Sequence, residues 1–362
     1  MARRLLLIVV AVLLVLFGVW HGEAPSAAED PGPAVVLGAR MGVNEGVAVP
    51  RRLIEQQGLG LTEIGPMLVE DAKALNALGS QWVRLNSVTH PFTNQREFAG
   101  FEAMDQWLRI VQEHDLDVVV VLSPWSGNGT ARQTARYVIQ DESGWQDWVR
   151  AFVERYDGDG VEDMPGLREG LHHWEVDNEP DLKNDPPGGR GDPDFCTVAQ
   201  YIRVFDLTEA AIRQADAQAK VLNGGIYRPH RPQGQAYLKG VLDAVGDRVD
   251  IVSIHLYADD TPAFLRGVDN TLALAGSRPV WITETSVSSE PGETQQAEKL
   301  EAMVRGAFDR GVERLFWHSL NDPPAAAKRP VGMGSHSLYH HGMVPKEAAA
   351  VWTRLATGLG AP

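Results

Sequence analysis

LHHWEVDNEPD at 171–181 and PVWITETS at 279–286 each run from aromatic and β-branched residues into an acid, Glu179 in the first and Glu284 in the second, 105 positions apart. Each acid falls where a short strand would end. Working outward from them, short apolar or β-branched runs alternate with amphipathic stretches about eight times. The expected strands are 35–37, 81–85, 118–122, 172–176, 220–222, 251–255, 280–283 and 314–317. Helices are expected over 67–78, 101–114, 144–156, 199–217, 235–245, 262–275, 295–310 and 347–355. Eight strand-then-helix units predict an α/β fold whose parallel sheet closes into a (β/α)8 TIM barrel, with an open doubly wound sheet as the lesser alternative.

Loop lengths agree with a barrel, in which sites are built from the connections that leave the C-terminal ends of strands. The long connections are 123–141, 180–197 and 321–346, whereas 79–80 and 276–278 are short returns. Glu179 and Glu284 lie where strands four and seven would reach the elaborated face. Residues 29–362 therefore read as one catalytic domain, with no internal repeat, low-complexity tract or linker.

The first 28 residues stand apart. Arg3 and Arg4 precede an uninterrupted apolar run at 5–20 and a small-residue stretch at 24–28, the order of a secretory signal, with an uncleaved membrane anchor as the alternative. The protein is thus expected to be secreted or held at the cell surface. Its one cysteine, Cys196, cannot form an internal disulfide. The net charge is −15, and removing residues 1–28 takes it to about −16, which repels phosphate backbones and anionic lipid. Nucleic acid is excluded as a partner, and membrane contact is confined to the N-terminal segment.

Two carboxyls facing one gap can cleave a glycosidic bond, one donating a proton to the leaving oxygen and the other meeting the developing oxocarbenium as a carboxylate. The expected ligand is an oligosaccharide, polysaccharide or other glycoside, with no cofactor and no metal. His336 and His340 are four apart, but the surrounding glycines oppose a helix and no glutamate follows His336; these residues, with His318 and His341, read as solvated loop histidines. The acidic runs DGDGVED and DNEPDLKND lack a calcium-loop spacing.

Several motifs together make the chain resemble the clan of retaining (β/α)8 glycosidases that includes cellulases, β-mannanases, β-xylosidases and β-glucosidases. Asn178-Glu179-Pro180 is similar to that clan's acid/base motif, and Glu284 in ITET to its nucleophile. Arg84 in WVRLN, His255 and Tyr257 in SIHLY, and Trp317 in LFWHS match its pocket residues in strand order. The departure is at strand three, where LSPWSGNG offers Ser123, Trp125 and Asn128 in place of the usual histidine or asparagine.

The resemblance implies double displacement. Glu179 would serve as acid and then base, its proton affinity raised by apolar neighbours and the second carboxyl, while Arg84 and Tyr257 would keep Glu284 ionised. Asn178 would bind the sugar 2-hydroxyl, which requires the strand to end or bulge between it and Glu179. Trp317 and Trp125 would present apolar planes to the sugar. Each residue also has a structural reading: strand-end surface acids for the glutamates, an internal ion pair for Arg84, a bonded core histidine for His255, and packing for the tryptophans. The rival functions are a non-catalytic carbohydrate-binding barrel and a barrel metallohydrolase, which the absence of a His-x-His at strand one opposes.

Overall fold

The computed structural model of the chain describes residues 36–47, 61–89, 101–124, 139, 141–181, 196–258, 260–323 and 335–359. Eight strands among them are β1 (Met41–Asn44), β2 (Trp82–Thr89), β3 (Asp117–Ser123), β4 (His173–Asn178), β5 (Lys220–Tyr227), β6 (Val252–His255), β7 (Val280–Thr285) and β8 (Arg314–His318). Each pairs in parallel with the next, and β8 returns to β1, so the sheet is a closed barrel and not an open one. Between the strands run α1 (Leu61–Ala77), α2 (Phe101–Glu113), α3 (Glu142–Glu154), α4 (Val198–Ala215), α5 (Pro232–Val245), α6 (Thr261–Ala275) and α7 (Glu293–Asp309), and α8 (Glu347–Thr357) follows β8. A short antiparallel pair, β9 (Tyr339–His340) and β10 (Val344–Pro345), precedes α8. Among the described residues no helix is long and apolar enough to cross a membrane, and the apolar run at 5–20 lies outside them.

The core has two parts, because a closed sheet has an inside and an outside. The larger part lies between sheet and helices and includes Val83, Val120, Val176, Ile254, Leu315 and Trp317 of the strands with Trp107, Phe152, Val204 and Trp352 of the helices. The smaller is Trp82, Val119, Leu222, Ile251, Trp281 and Phe316. Its members come from β2, β3, β5, β7 and β8 and from Ile251 just before β6, on all sides of the ring, so they meet across the barrel interior, at the N-terminal ends of the strands. Trp82 lies edge-on to Trp281 with centroids 5.2 Å apart and to Phe316 at 6.4 Å. These rings form the floor.

The first strand corrects an expectation. It is not 35–37 but Met41–Asn44, after a 3-10 turn over Gly38–Arg40, while Leu37 donates its amide to Leu355 of α8. MGVN lacks a long apolar run for a physical reason. A Cβ on Gly42 would stand 2.6 Å from the Phe316 ring and 2.7 Å from the Trp82 Cβ, so the floor rings leave room only for glycine.

Candidate active site

Side chains on a strand alternate between faces, so the residue two beyond a floor residue also points inward. Gly42 leads to Asn44, Trp82 to Arg84, His173 to Glu175 and Phe316 to His318. Arg84 is fully buried and organises this layer. Its Nε donates to Glu175 Oε2 at 2.6 Å, Nη1 to Asn44 Oδ1 at 2.8 Å and Glu284 Oε1 at 2.9 Å, and Nη2 to Asn178 Oδ1 at 2.8 Å. Burial alone would lower the Arg84 pKa, but the adjacent Glu175 and Glu284 carboxylates outweigh it and leave it raised. The other oxygen of Glu175 accepts the Gly225 amide and the Ser253 hydroxyl, each at 2.8 Å, so the buried ion is bonded on both sides.

Glu284 reaches the same gap through an irregularity in β7. Pairing with β8 runs Ile282 to Leu315 and then skips to Thr285 opposite Trp317. That bulge lets consecutive residues face inward: the Thr283 hydroxyl meets Ser253 Oγ at 2.7 Å, and Glu284 meets Arg84. Glu284 Oε1 also accepts from Asn44 Nδ2 at 3.1 Å, and Oε2 accepts from the Tyr257 hydroxyl at 2.7 Å. Burial and the nearby Glu284 charge push the Tyr257 pKa well up, so the phenol stays a donor to the carboxylate.

Glu179 is delivered by a different device. Asp177 and Glu179 have φ of 66° and 49°, left-handed conformations on either side of Asn178 at the end of β4. Such positions store about 1–3 kcal/mol each and persist where the surroundings hold them. The Ser123 hydroxyl donates to Asp177 Oδ1 at 2.8 Å and pins the turn. The twist brings both Asn178 and Glu179 to the interior, meeting the condition that alternation imposed. Glu179 Oε1 lies 2.7 Å from His255 Nδ1, and the same nitrogen is 3.5 Å from Glu284 Oε2. Burial lowers the His255 pKa to about 4 against the attraction of Glu284, so the ring is neutral near pH 7. Its Nε2 is buried with no partner among the described residues, seated against Gly225, where a Cβ would come within 2.1 Å.

One oxygen of Glu179, one of Glu284 and a ring nitrogen of His255 all lie within 4.8 Å of one another. Carboxyls about 5–5.5 Å apart suit direct attack by one of them, whereas about 6.5–9.5 Å would leave room for an intervening water. The same trio could hold a metal ion by spacing, as could Asp157, Asp159 and Asp163 beyond α3. In the second group Asp163 and Asp159 already accept the amides of Gly158, Gly160 and Val161.

Six expected residues thus meet: Arg84, Asn178, Glu179, His255, Tyr257 and Glu284. Trp317 does not join them. It is fully buried on the outer side of β8, edge-on to Trp352 of α8 with centroids 6.3 Å apart, and its Nε1 donates to the His336 carbonyl at 2.9 Å. The inward position belongs to His318, whose Nδ1 is 2.9 Å from Asn44 Nδ2, so His318 is not a solvated loop histidine. Trp125 and Asn128 lie outside the described residues. Asn44, Glu175 and His318 were missed. Their signal was strand parity, each two residues beyond a floor position.

Residues 177–329 match the family model of the glycosyl hydrolase catalytic core, a stretch that contains both Glu179 and Glu284. No curated protein is a sequence match. Among solved structures, a GH5_18 variant from Streptomyces cattleya in complex with Manb1-4GlcNAc is 18% identical with a TM-score of 0.66, over 90% of this chain and 82% of that one. A family 39 glycoside hydrolase from the gut symbiont Bacteroides cellulosilyticus WH2 is 16% identical at TM-score 0.61, over 88% of this chain. A glucosidase from Croceicoccus marinus is 14% identical at TM-score 0.60, over 79% of this chain. The chain spans 63% of the length of each of the latter two. At these identities the likeness shows the shared barrel. The stretch at 177–329 adds a likeness to the glycosyl hydrolase catalytic core.

Proposed function

We propose, on the premise that this chain is a (β/α)8 glycoside hydrolase of the clan A type, that it hydrolyses β-linked glycosides with retention, through Glu179 as acid/base and Glu284 as nucleophile. The observation that carries the reading is the approach of the two carboxyls within 4.8 Å across the barrel mouth. Glu179 gives its proton to the glycosidic oxygen while Glu284 attacks the anomeric carbon; the bond to the leaving group breaks and a glycosyl ester on Glu284 forms. Glu179, now a carboxylate, takes a proton from water, which attacks the same carbon, and Glu284 leaves as a carboxylate.

The surrounding residues suit these roles. Arg84, Asn44 and Tyr257 place three donors on Glu284 and fix its direction. Asn178 spends its carbonyl on Arg84, which leaves its amide hydrogens for the sugar 2-hydroxyl. His255 positions Glu179. The substrate is read as a β-linked oligosaccharide, polysaccharide or aryl glycoside, and the reaction needs no cofactor. The chain is read as exported, either released or held at the cell surface through residues 1–28; fractionating cells that express the full chain tests this.

Aryl β-glycosides of several sugars test the chemistry. Wild type should release the β-anomer first, as read by proton NMR, and Glu284→Ala should lower kcat roughly 10⁴- to 10⁶-fold, the range for removing an essential nucleophile or its partner. An activated 2-deoxy-2-fluoro glycoside should leave a mass adduct on the Glu284 peptide. Initial release of the α-anomer, or turnover surviving Glu284→Ala, would overturn the proposal.

A further inference from the structure

The hydrogen bonds around Asn44 fix a proton on another residue. A guanidinium only donates, so the Asn44 atom facing Arg84 Nη1 at 2.8 Å is the carbonyl oxygen. The amide nitrogen therefore faces the other way, where it donates to Glu284 Oε1 at 3.1 Å and lies 2.9 Å from His318 Nδ1. An amide N–H only donates as well. His318 Nδ1 must accept, and the proton of the ring is on Nε2.

His318 is half-buried at the end of β8. Its outer nitrogen has no partner among the described residues and is not sealed from solvent. A chain of bonds from the buried Arg84 through Asn44 thus holds a single N–H at the rim, joined to Glu284 by the same Asn44 amide. The aromatic neighbour Trp317 is turned away from this side of the barrel. What β8 offers to the gap is a hydrogen-bond donor and no apolar plane.

We propose that His318 is a substrate-binding residue whose Nε2–H donates to a hydroxyl oxygen of the sugar bound over Glu284. The ligand chemistry is a neutral acceptor oxygen on the glycone, so the strand-eight side of the pocket selects sugars by hydroxyl placement. This deepens the hydrolase reading and rests on it. A histidine that merely packed Asn44 would stabilise the site without sensing any one hydroxyl.

The test is a cycle of binding constants, independent of turnover. Aryl 1-thio-β-glycosides of glucose, mannose and xylose, and the monodeoxy forms of whichever binds best, are titrated calorimetrically into wild type, His318→Ala and His318→Gln. His318→Ala should weaken the parent thioglycoside roughly 3- to 10-fold, the worth of one neutral hydrogen bond. For one deoxy sugar the substitution should cause no further loss, and His318→Gln, which keeps a donor, should recover part of the affinity. Nitrogen-15 NMR of the free protein should show the His318 proton on Nε2. A loss spread equally over every deoxy sugar, no change in His318→Ala, no binding at all, or a proton on Nδ1 would overturn the proposal. Hydrolysis of the matching oxygen glycosides separately tests the hydrolase reading: turnover without the cycle's signature removes only the role of His318.

Discussion

Trp82, Trp281 and Phe316 at the barrel floor and Arg84, Glu284 and His318 at its mouth lie on the same three strands, two or three residues apart. At the floor three aromatic rings interlock, and Arg314 lies over Trp82 at 4.2 Å and Trp281 at 4.5 Å. Burying such side chains stabilises the fold by about 1.5–3 kcal/mol each. The mouth reverses this. Arg84 and Glu175 are side chains with no exposure and Glu284 has 8%, so ions have been taken out of water and are held by one another. Such a set is weak evidence for stability, because an apolar replacement of equal volume is often as stable or more so. The contrast places stability at one end of a closed interior and chemistry at the other, with one strand period serving both.

The largest effect expected at the mouth comes from breaking that ionic set on one side only. Arg84→Met leaves Glu175 buried without its cation and should lose about 3–5 kcal/mol in urea denaturation. Adding Glu175→Gln should restore most of the loss; equal midpoints for the single and double variants would show that the pair is not the source. At the floor, Gly42→Ala drives a methyl into the Phe316 ring and should cost about 1–3 kcal/mol by overpacking, read as a lower melting temperature. A neutral result there would mean that the rings are not interlocked as described.

The smallest effect is a slope against pH. Burial, with Arg314 adding repulsion, lowers the pKa of His173 beside the floor to about 4. Between roughly pH 6.5 and 4 the unfolded chain takes a proton that the folded one refuses, so stability falls on acidification by up to about 1.4 kcal/mol per pH unit for this residue. His255 at the mouth, also lowered to about 4, acts in the same direction. Asp157, raised by burial to about 6, opposes them, since the folded state takes up its proton first. His173→Gln should flatten the acid limb of the stability curve by one histidine's share while leaving turnover of folded protein at pH 7 unchanged. An unchanged slope would show that His173 takes no part in the acid sensitivity.

Legibility in the sequence follows the same division. Strands with β-branched runs, such as Asp117–Ser123 and Val280–Thr285, announce themselves because their outward faces meet helices. Met41–Asn44 stayed hidden because its two inward residues are a glycine beneath the floor rings and a polar residue at the mouth. The acids Glu179 and Glu284 were readable from their places at strand ends. Glu175 looked like an ordinary strand residue, and Asn44 lay in a strand assigned elsewhere. Trp317 and His318 were exchanged because adjacent aromatics at 316 and 317 are equally plausible on either face.

By itself, the sequence determined eight strand-and-helix alternations, the acidic character of the chain and the two glutamates at the ends of strands four and seven. Only the tertiary structure decided which side of each strand faces inward, how near the glutamates stand, and which histidine nitrogen bears a proton. A strand's inward face is a choice between two alternatives, settled by contacts across the closed ring. Here Phe316 seats against Trp82 and turns Trp317 outward, the β7 bulge turns Glu284 inward, and the left-handed turn at Asp177 brings Glu179 opposite it.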